Sequence, residues 1–139
     1  MTLARSLSFA CFLGLLTQSA NAADTKSAAQ PATRPDSDFY LQGEYAGTIF
    51  QGEKISQAIG LQVIARGNGK FEAVEYEGGL PGNGWNLGPR RNYAGAKIAD
   101  GIAELTGHGR RLVVRSRVVL IQDESGTVLA RLLKYLRRS

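Results

Sequence analysis

The stretch 59–66 (IGLQVIAR) places Ile59, Leu61, Val63 and Ala65 in one phase and Gly60, Gln62, Ile64 and Arg66 in the other. That period-two pattern predicts a half-buried strand. Gly67-Asn68-Gly69 follows, three residues that tolerate positive φ and suit a hairpin turn. Residues 70–77 (KFEAVEYE) then return as the partner strand. The apolar phase of this return slips between Ala73 and Val74, which predicts a bulge. A lone hairpin is marginal in water, so the chain must supply more strands to cover its apolar face.

It has the material to do so. Residues 43–50 read as a strand before the hairpin, and 93–98, 102–106 and 112–121 as strands after it, with a turn at 123–126 (DESG). Between the hairpin and the later strands lies 78–92 (GGLPGNGWNLGPRRN), a shaped loop with five glycines and two prolines. Short strands between glycine-rich turns define the expected class: all-β, a small antiparallel β-sandwich, roll or partly open barrel. The last segment carries two patterns. Val128, Leu129, Leu132, Leu133 and Leu136 share one face of a helix, opposite Arg131, Lys134 and Arg137. As a strand, Leu129, Leu133 and Tyr135 oppose Val128, Leu132 and Leu136. A helix this short is marginal without tertiary support.

Residues 1–22 stand outside the fold. Arg5 is followed by an apolar run, 7–16, and by Ala20-Asn21-Ala22, the order of a secretory signal peptide cleaved before Ala23. A run of ten residues is too short for a spanning helix, and no later segment is long and apolar enough for a transmembrane one. The expected location is secreted or periplasmic, in the cell envelope. Residues 23–37 contain two prolines and no large apolar side chain, so they are expected to form a disordered linker. Residues 38–139 then make one antiparallel β-domain of ordinary size.

Composition removes whole classes of chemistry. The single cysteine, Cys11, lies in the signal's apolar run, which excludes a cysteine zinc site or a disulfide framework. The lone His108, between glycines, lacks the partners that a catalytic base requires. Glu72, Glu75 and Glu77 are read as acids on a solvated strand face, and Glu44 and Asp100 have no better case. No P-loop, nucleophile elbow or metal motif is present in the sequence. No catalytic residue, metal or cofactor is therefore assigned.

What remains is binding. Trp85, on a shaped loop rich in glycine and proline, is suited to stack on a sugar ring, with Asn83 nearby and Tyr76 on the preceding strand. The competing reading folds Trp85 back as a plug over the open end of the core, with Tyr45 and Tyr76 as core residues. Charge is uneven: residues 105–139 carry eight basic and two acidic side chains. Arg131, Lys134, Arg137 and Arg138 make an anionic envelope surface a candidate partner. Export and the absence of a nucleic-acid-binding motif argue against nucleic acid.

The strings 43–48 (GEYAGT), 60–74 (GLQVIARGNGKFEAV) and 78–85 (GGLPGNGW) resemble the N-terminal β-domain that precedes the catalytic domain in exported planctomycete-type proteins of the 3-keto-disaccharide hydrolase family. The resemblance implies a strand over 127–138 and a carbohydrate-associated accessory role, whose partners are a glycan or a following hydrolase domain. The catalytic jelly roll of that family has no counterpart in these residues, so none of its catalytic positions carries over. The expected function is an exported, non-catalytic binding or scaffolding module. The alternative is the N-terminal part of a two-domain glycoside hydrolase.

Overall fold

The computed structural model describes residues 36–138. The expected signal peptide, 1–22, and most of the expected linker lie outside the described residues. Asp36 and Ser37, which composition assigns to the linker, already belong to a short helix: Asp36 is its N-cap and α1 spans Ser37–Leu41.

The hairpin read from the sequence forms as β2 (Lys54–Gly67) and β3 (Lys70–Glu77). Around it stand β1 (Gly43–Gln51), β4 (Arg90–Ala99), β5 (Ile102–Gly107), β6 (Arg110–Val114), β7 (Val118–Asp123) and β8 (Val128–Tyr135). Each strand pairs antiparallel with its sequence neighbour. The pairing of β1 with β8 then closes an eight-stranded barrel. The fold is therefore all-β and antiparallel, and the barrel is closed. Closure leaves no strand edge among the eight, the surest protection against edge-to-edge association. The run 112–121 is two strands, split by a turn at Arg115, Ser116 and Arg117 that carries none of the usual glycine, proline or asparagine signals. The last segment is a strand.

Register sorts side chains into an inner and an outer set. One ring of inward positions runs Phe71, Gly95, Leu105, Leu112, Ile121, Ala130 and Ile49 around the barrel. Tyr45, Leu61, Val63 and Ala73 extend the same core and are almost wholly buried. Side chains thus fill the interior, one of the two outcomes that the circumference of eight strands allows. Gly95 marks a tight place: a Cβ there would collide with the backbone carbonyl of Glu104. Its absence lets β4 and β5 coil closely at the barrel wall.

The expected bulge in β3 does not form. β3 pairs without a break from Phe71 to Glu77 against β2. The apolar phase slips because an acid, Glu75, points inward, while an aromatic, Tyr76, is buried on the outside. The register shift instead lies at Ala65/Gly67, beside the turn.

α1 closes one end of the barrel. Leu41 is fully buried there, and the Tyr45 hydroxyl donates to the Leu41 carbonyl at 2.7 Å while lying 3.1 Å from that of Arg115. Burial pushes the Tyr45 phenol up to about 12. Lys134 points inward from β8, and its ammonium donates to the carbonyls of Tyr40 (2.8 Å) and Gln42 (2.9 Å), which satisfies the end of the helix. Lys97 makes an ion pair with Asp38 at 3.2 Å, fixing α1 from the other side.

Candidate functional site

Two assemblies stand out, one inside the opposite end of the barrel and one on its outer wall. The inner one is built on Glu75, which the sequence reading placed on a solvated face; its side chain is only 1% exposed. Register brings Arg91 of β4 beside it, and Arg110 arrives from β6. Arg91 Nη1 donates to Glu75 Oε1 at 3.0 Å, and Arg110 Nη1 lies 3.1 and 3.3 Å from the two carboxylate oxygens. The Tyr93 hydroxyl donates to Oε2 at 2.7 Å. Burial, reinforced by the adjacent carboxylate, drives the Tyr93 phenol above the usual range.

This cluster is structural: a carboxylate taken out of water requires charged or hydrogen-bonded partners, and Glu75 has two arginines and the Tyr93 hydroxyl. A signal for it exists in the sequence. Glu75 shares the phase of Phe71 and Ala73, Arg91 that of Tyr93, and Arg110 that of Leu112 and Val114. An acid and two arginines on apolar phases of neighbouring strands are the mark of a buried ion cluster. His108 packs edge-on against Tyr93, with centroids 5.8 Å apart, and is otherwise exposed. Beyond the cluster, the turns after β5 and β7 border a cleft of about 440 Å³ lined by Arg110, Arg111, Asp123 and Glu124. The Asp123 carboxylate is occupied by its own turn, accepting from Ser125 N and Oγ and from Thr127 N. Those bonds hold its pKa below the ordinary value, the Ser125 hydroxyl contributing most.

The outer assembly is the loop 78–89. It does not cross the open end of the barrel; it lies back against the outside of β2. Leu80 is fully buried there, over Gly60, where a Cβ would stand 2.5 Å from Leu80 N. Gly78 N donates to Ala58 O, and both Asn83 N and Trp85 N donate to Leu80 O. The Arg137 guanidinium bonds the Pro81 carbonyl at 2.8 Å and the Glu44 carboxylate at 2.7 and 2.9 Å, strapping the loop to β1. Tyr76 is buried beneath the loop, with its hydroxyl donating to Gln62 Oε1 at 2.7 Å.

Trp85 rests on Tyr76, centroids 5.2 Å apart at 70°, and its Nε1 donates to Gly88 O at 3.3 Å. The indole is half-buried, so Trp85 neither plugs the barrel nor stands free in solvent. Beside it a shallow hollow of about 580 Å³ is lined by Trp85, Leu87, Gly88, Pro89, Arg90 and Asn92. Leu87 holds a φ of 63° and is 79% exposed. Positive φ is an uncommon and strained setting for a bulky side chain, and such strain gathers at ligand sites. Of the three expected ligand residues, Trp85 is at the hollow, Asn83 is exposed at the loop tip, and Tyr76 lies beneath as support. Leu87, Arg90 and Asn92 were missed, since nothing in their types marks them before the loop is folded.

The basic set at the C-terminal end divides in the same way. Lys134 caps α1 and Arg137 is spent on Glu44 and Pro81. Arg131 and Arg138 are exposed and make no ion pair among the described residues.

The fold is a small up-and-down β-barrel whose interior is filled, with hollows on its outer wall and at its two ends. No protein-family model, curated protein or solved structure matches the chain.

Proposed function

We propose that this chain is an exported, non-catalytic accessory module that binds carbohydrate in the hollow beside Trp85. The observation that carries the reading is the fixed indole at the edge of a polar-rimmed hollow. Trp85 is held by the Gly88 carbonyl and by Tyr76, and Arg90 and Asn92 present planar donor groups next to it. A sugar ring offers an apolar face for an aromatic surface and vicinal hydroxyls for such side chains, the mixture that small-ligand sites generally use. The loop is already strapped to the barrel by Leu80 and Arg137, so little ordering would be required on binding. The filled core turns ligand contact outward, to the barrel wall.

The test is a glycan array on the purified protein, followed by calorimetry on any hit. Trp85→Ala is expected to weaken binding by about tenfold or more, as truncating a tryptophan anchor commonly does. The barrel should stay folded, because Trp85 lies outside its core. An array without hits, or a hit whose affinity Trp85→Ala leaves unchanged, would overturn the proposal.

A further inference from the structure

The end of the barrel closed by α1 carries an apolar patch independent of the Trp85 hollow. Five residues are too short to bury a full face: α1 turns Asp38 and Leu41 inward and leaves Phe39 (56%) and Tyr40 (50%) exposed. From β8 and the residue after it, Leu133 (57%) and Leu136 (77%) join them, with Tyr135 on the same outward phase as Leu133. Tyr40, Leu133, Leu136 and Arg117 line a shared groove of about 820 Å³. Large exposed apolar side chains gathered at one end of a small domain mark an interaction surface.

Basic charge predominates around the patch, although Asp100 also lines the groove. Arg115 and Arg117 sit in the turn between β6 and β7 at this same end, Arg131 lies two residues before Leu133 on its face, and Arg138 follows the strand. None of the four makes an ion pair among the described residues, whereas Asp38 is paired with Lys97 and Glu44 with Arg137; Asp100 only approaches Lys97, at 3.8 Å, and is 93% exposed. Asp36 is exposed as well, so four unpaired arginines face two exposed acids at this end.

We propose that this end docks on the surface of an anionic phospholipid bilayer. Aromatic and aliphatic side chains ringed by arginines are the chemistry of the headgroup region, where apolar groups enter the acyl boundary and cations meet phosphate. The barrel wall bears Arg66, Glu72, Glu104 and Arg111 outward, the reverse of a lipid-facing wall, so contact is confined to the end. A second copy of the chain is the poorer occupant, because a two-fold contact would set the same arginines against each other.

The experiment is co-sedimentation with vesicles of equimolar phosphatidylglycerol and phosphatidylcholine, and with phosphatidylcholine alone, at low and high salt. Light scattering of the protein without vesicles runs beside it. Binding to the anionic vesicles only, weakened by salt, is expected. Arg117→Ser with Arg131→Ser should lower that partitioning by about thirtyfold, from the contribution of a basic residue near an anionic surface. Leu133→Asn with Leu136→Asn should lower it while leaving the salt dependence in place. All four side chains are exposed or lie outside the core, so the fold is expected to hold. Failure of the unmodified protein to bind, equal binding to neutral vesicles, or pairs of variants that bind as before would each overturn the proposal. So would a dimer, broken by the leucine pair, in a protein that ignores vesicles.

Discussion

Replacing Glu75 with glutamine keeps the volume of the side chain and removes its charge from between two guanidiniums. Four contacts converge on that carboxylate: Arg91 at 3.0 Å, Arg110 at 3.1 and 3.3 Å, and Tyr93 at 2.7 Å. Removing one member of a buried ion pair commonly costs about 3–5 kcal/mol, because the other charge is left uncompensated. Here the arginines are not equally buried: the Arg91 side chain is 39% exposed and that of Arg110 19%. Both can recover some water, and the glutamine oxygen can still accept from Tyr93. The expected loss is therefore about 2–3 kcal/mol, or a fall in melting temperature of about 10–20 °C for a domain of this size. Urea unfolding followed by circular dichroism would measure it. Arg110→Met should cost more than Arg91→Met, in the order of their burial. Replacing Glu75, Arg91 and Arg110 together by apolar residues should restore much of what Glu75→Gln loses. If Glu75→Gln stayed within about 0.5 kcal/mol of the unmodified protein, or the two arginines ranked the other way, the cluster would not be holding the barrel as described.

Three further outcomes follow from the geometry. Burial pushes the Tyr45 phenol up to about 12 and Tyr93 higher still, while an unfolded tyrosine ionises near its ordinary value. The contribution of these groups is therefore complete below about pH 10 and is lost as pH rises through their folded values. Tyrosinate absorbance should show both titrating late and together with unfolding; ordinary titration in an intact fold would contradict their burial. Gly60→Ala should lift Leu80 off β2, at a cost of about 1–3 kcal/mol, and shift Trp85 fluorescence while the barrel's circular dichroism persists. Lys134→Met leaves the carbonyls of Tyr40 and Gln42 without their ammonium donor, so the Gln42 amide, which donates to Asp38 O, should exchange its hydrogen faster.

The strands were legible where one phase is apolar and the other polar, as in 59–66, because burial alone fixes that pattern. β3 resisted because its two critical side chains reverse the rule: Glu75 is inside with arginines, and Tyr76 is outside beneath a loop. The inward acid can be matched in the sequence to the arginines on the apolar phases of β4 and β6, but the cover over Tyr76 exists only once the loop is folded. The break between β6 and β7 is hard to read because Arg-Ser-Arg at 115–117 offers only Ser116 as a turn signal, without glycine, proline or asparagine. Closure was equally hidden, because it rests on β1 meeting β8 across the length of the domain. At the candidate site, Trp85 was visible from its type and its glycine-rich setting. Its neighbours were not, since Leu87 and Arg90 gain their meaning only from a loop laid flat on the wall. In the charged tail, equal-looking residues took unequal roles once Lys134 proved to face inward and Arg137 to face Glu44.

The pairing of Glu44 with Tyr135 has a consequence for how such a domain can be joined to others. The first strand begins beside the point where the last one finishes, on the same rim. A polypeptide can thus enter and leave the barrel through one narrow doorway. The unit can be spliced into a surface loop of a host protein without prying that loop open. New ends could be cut at the turn 67–69 and the old ones fused by a few residues, with every strand keeping its neighbours.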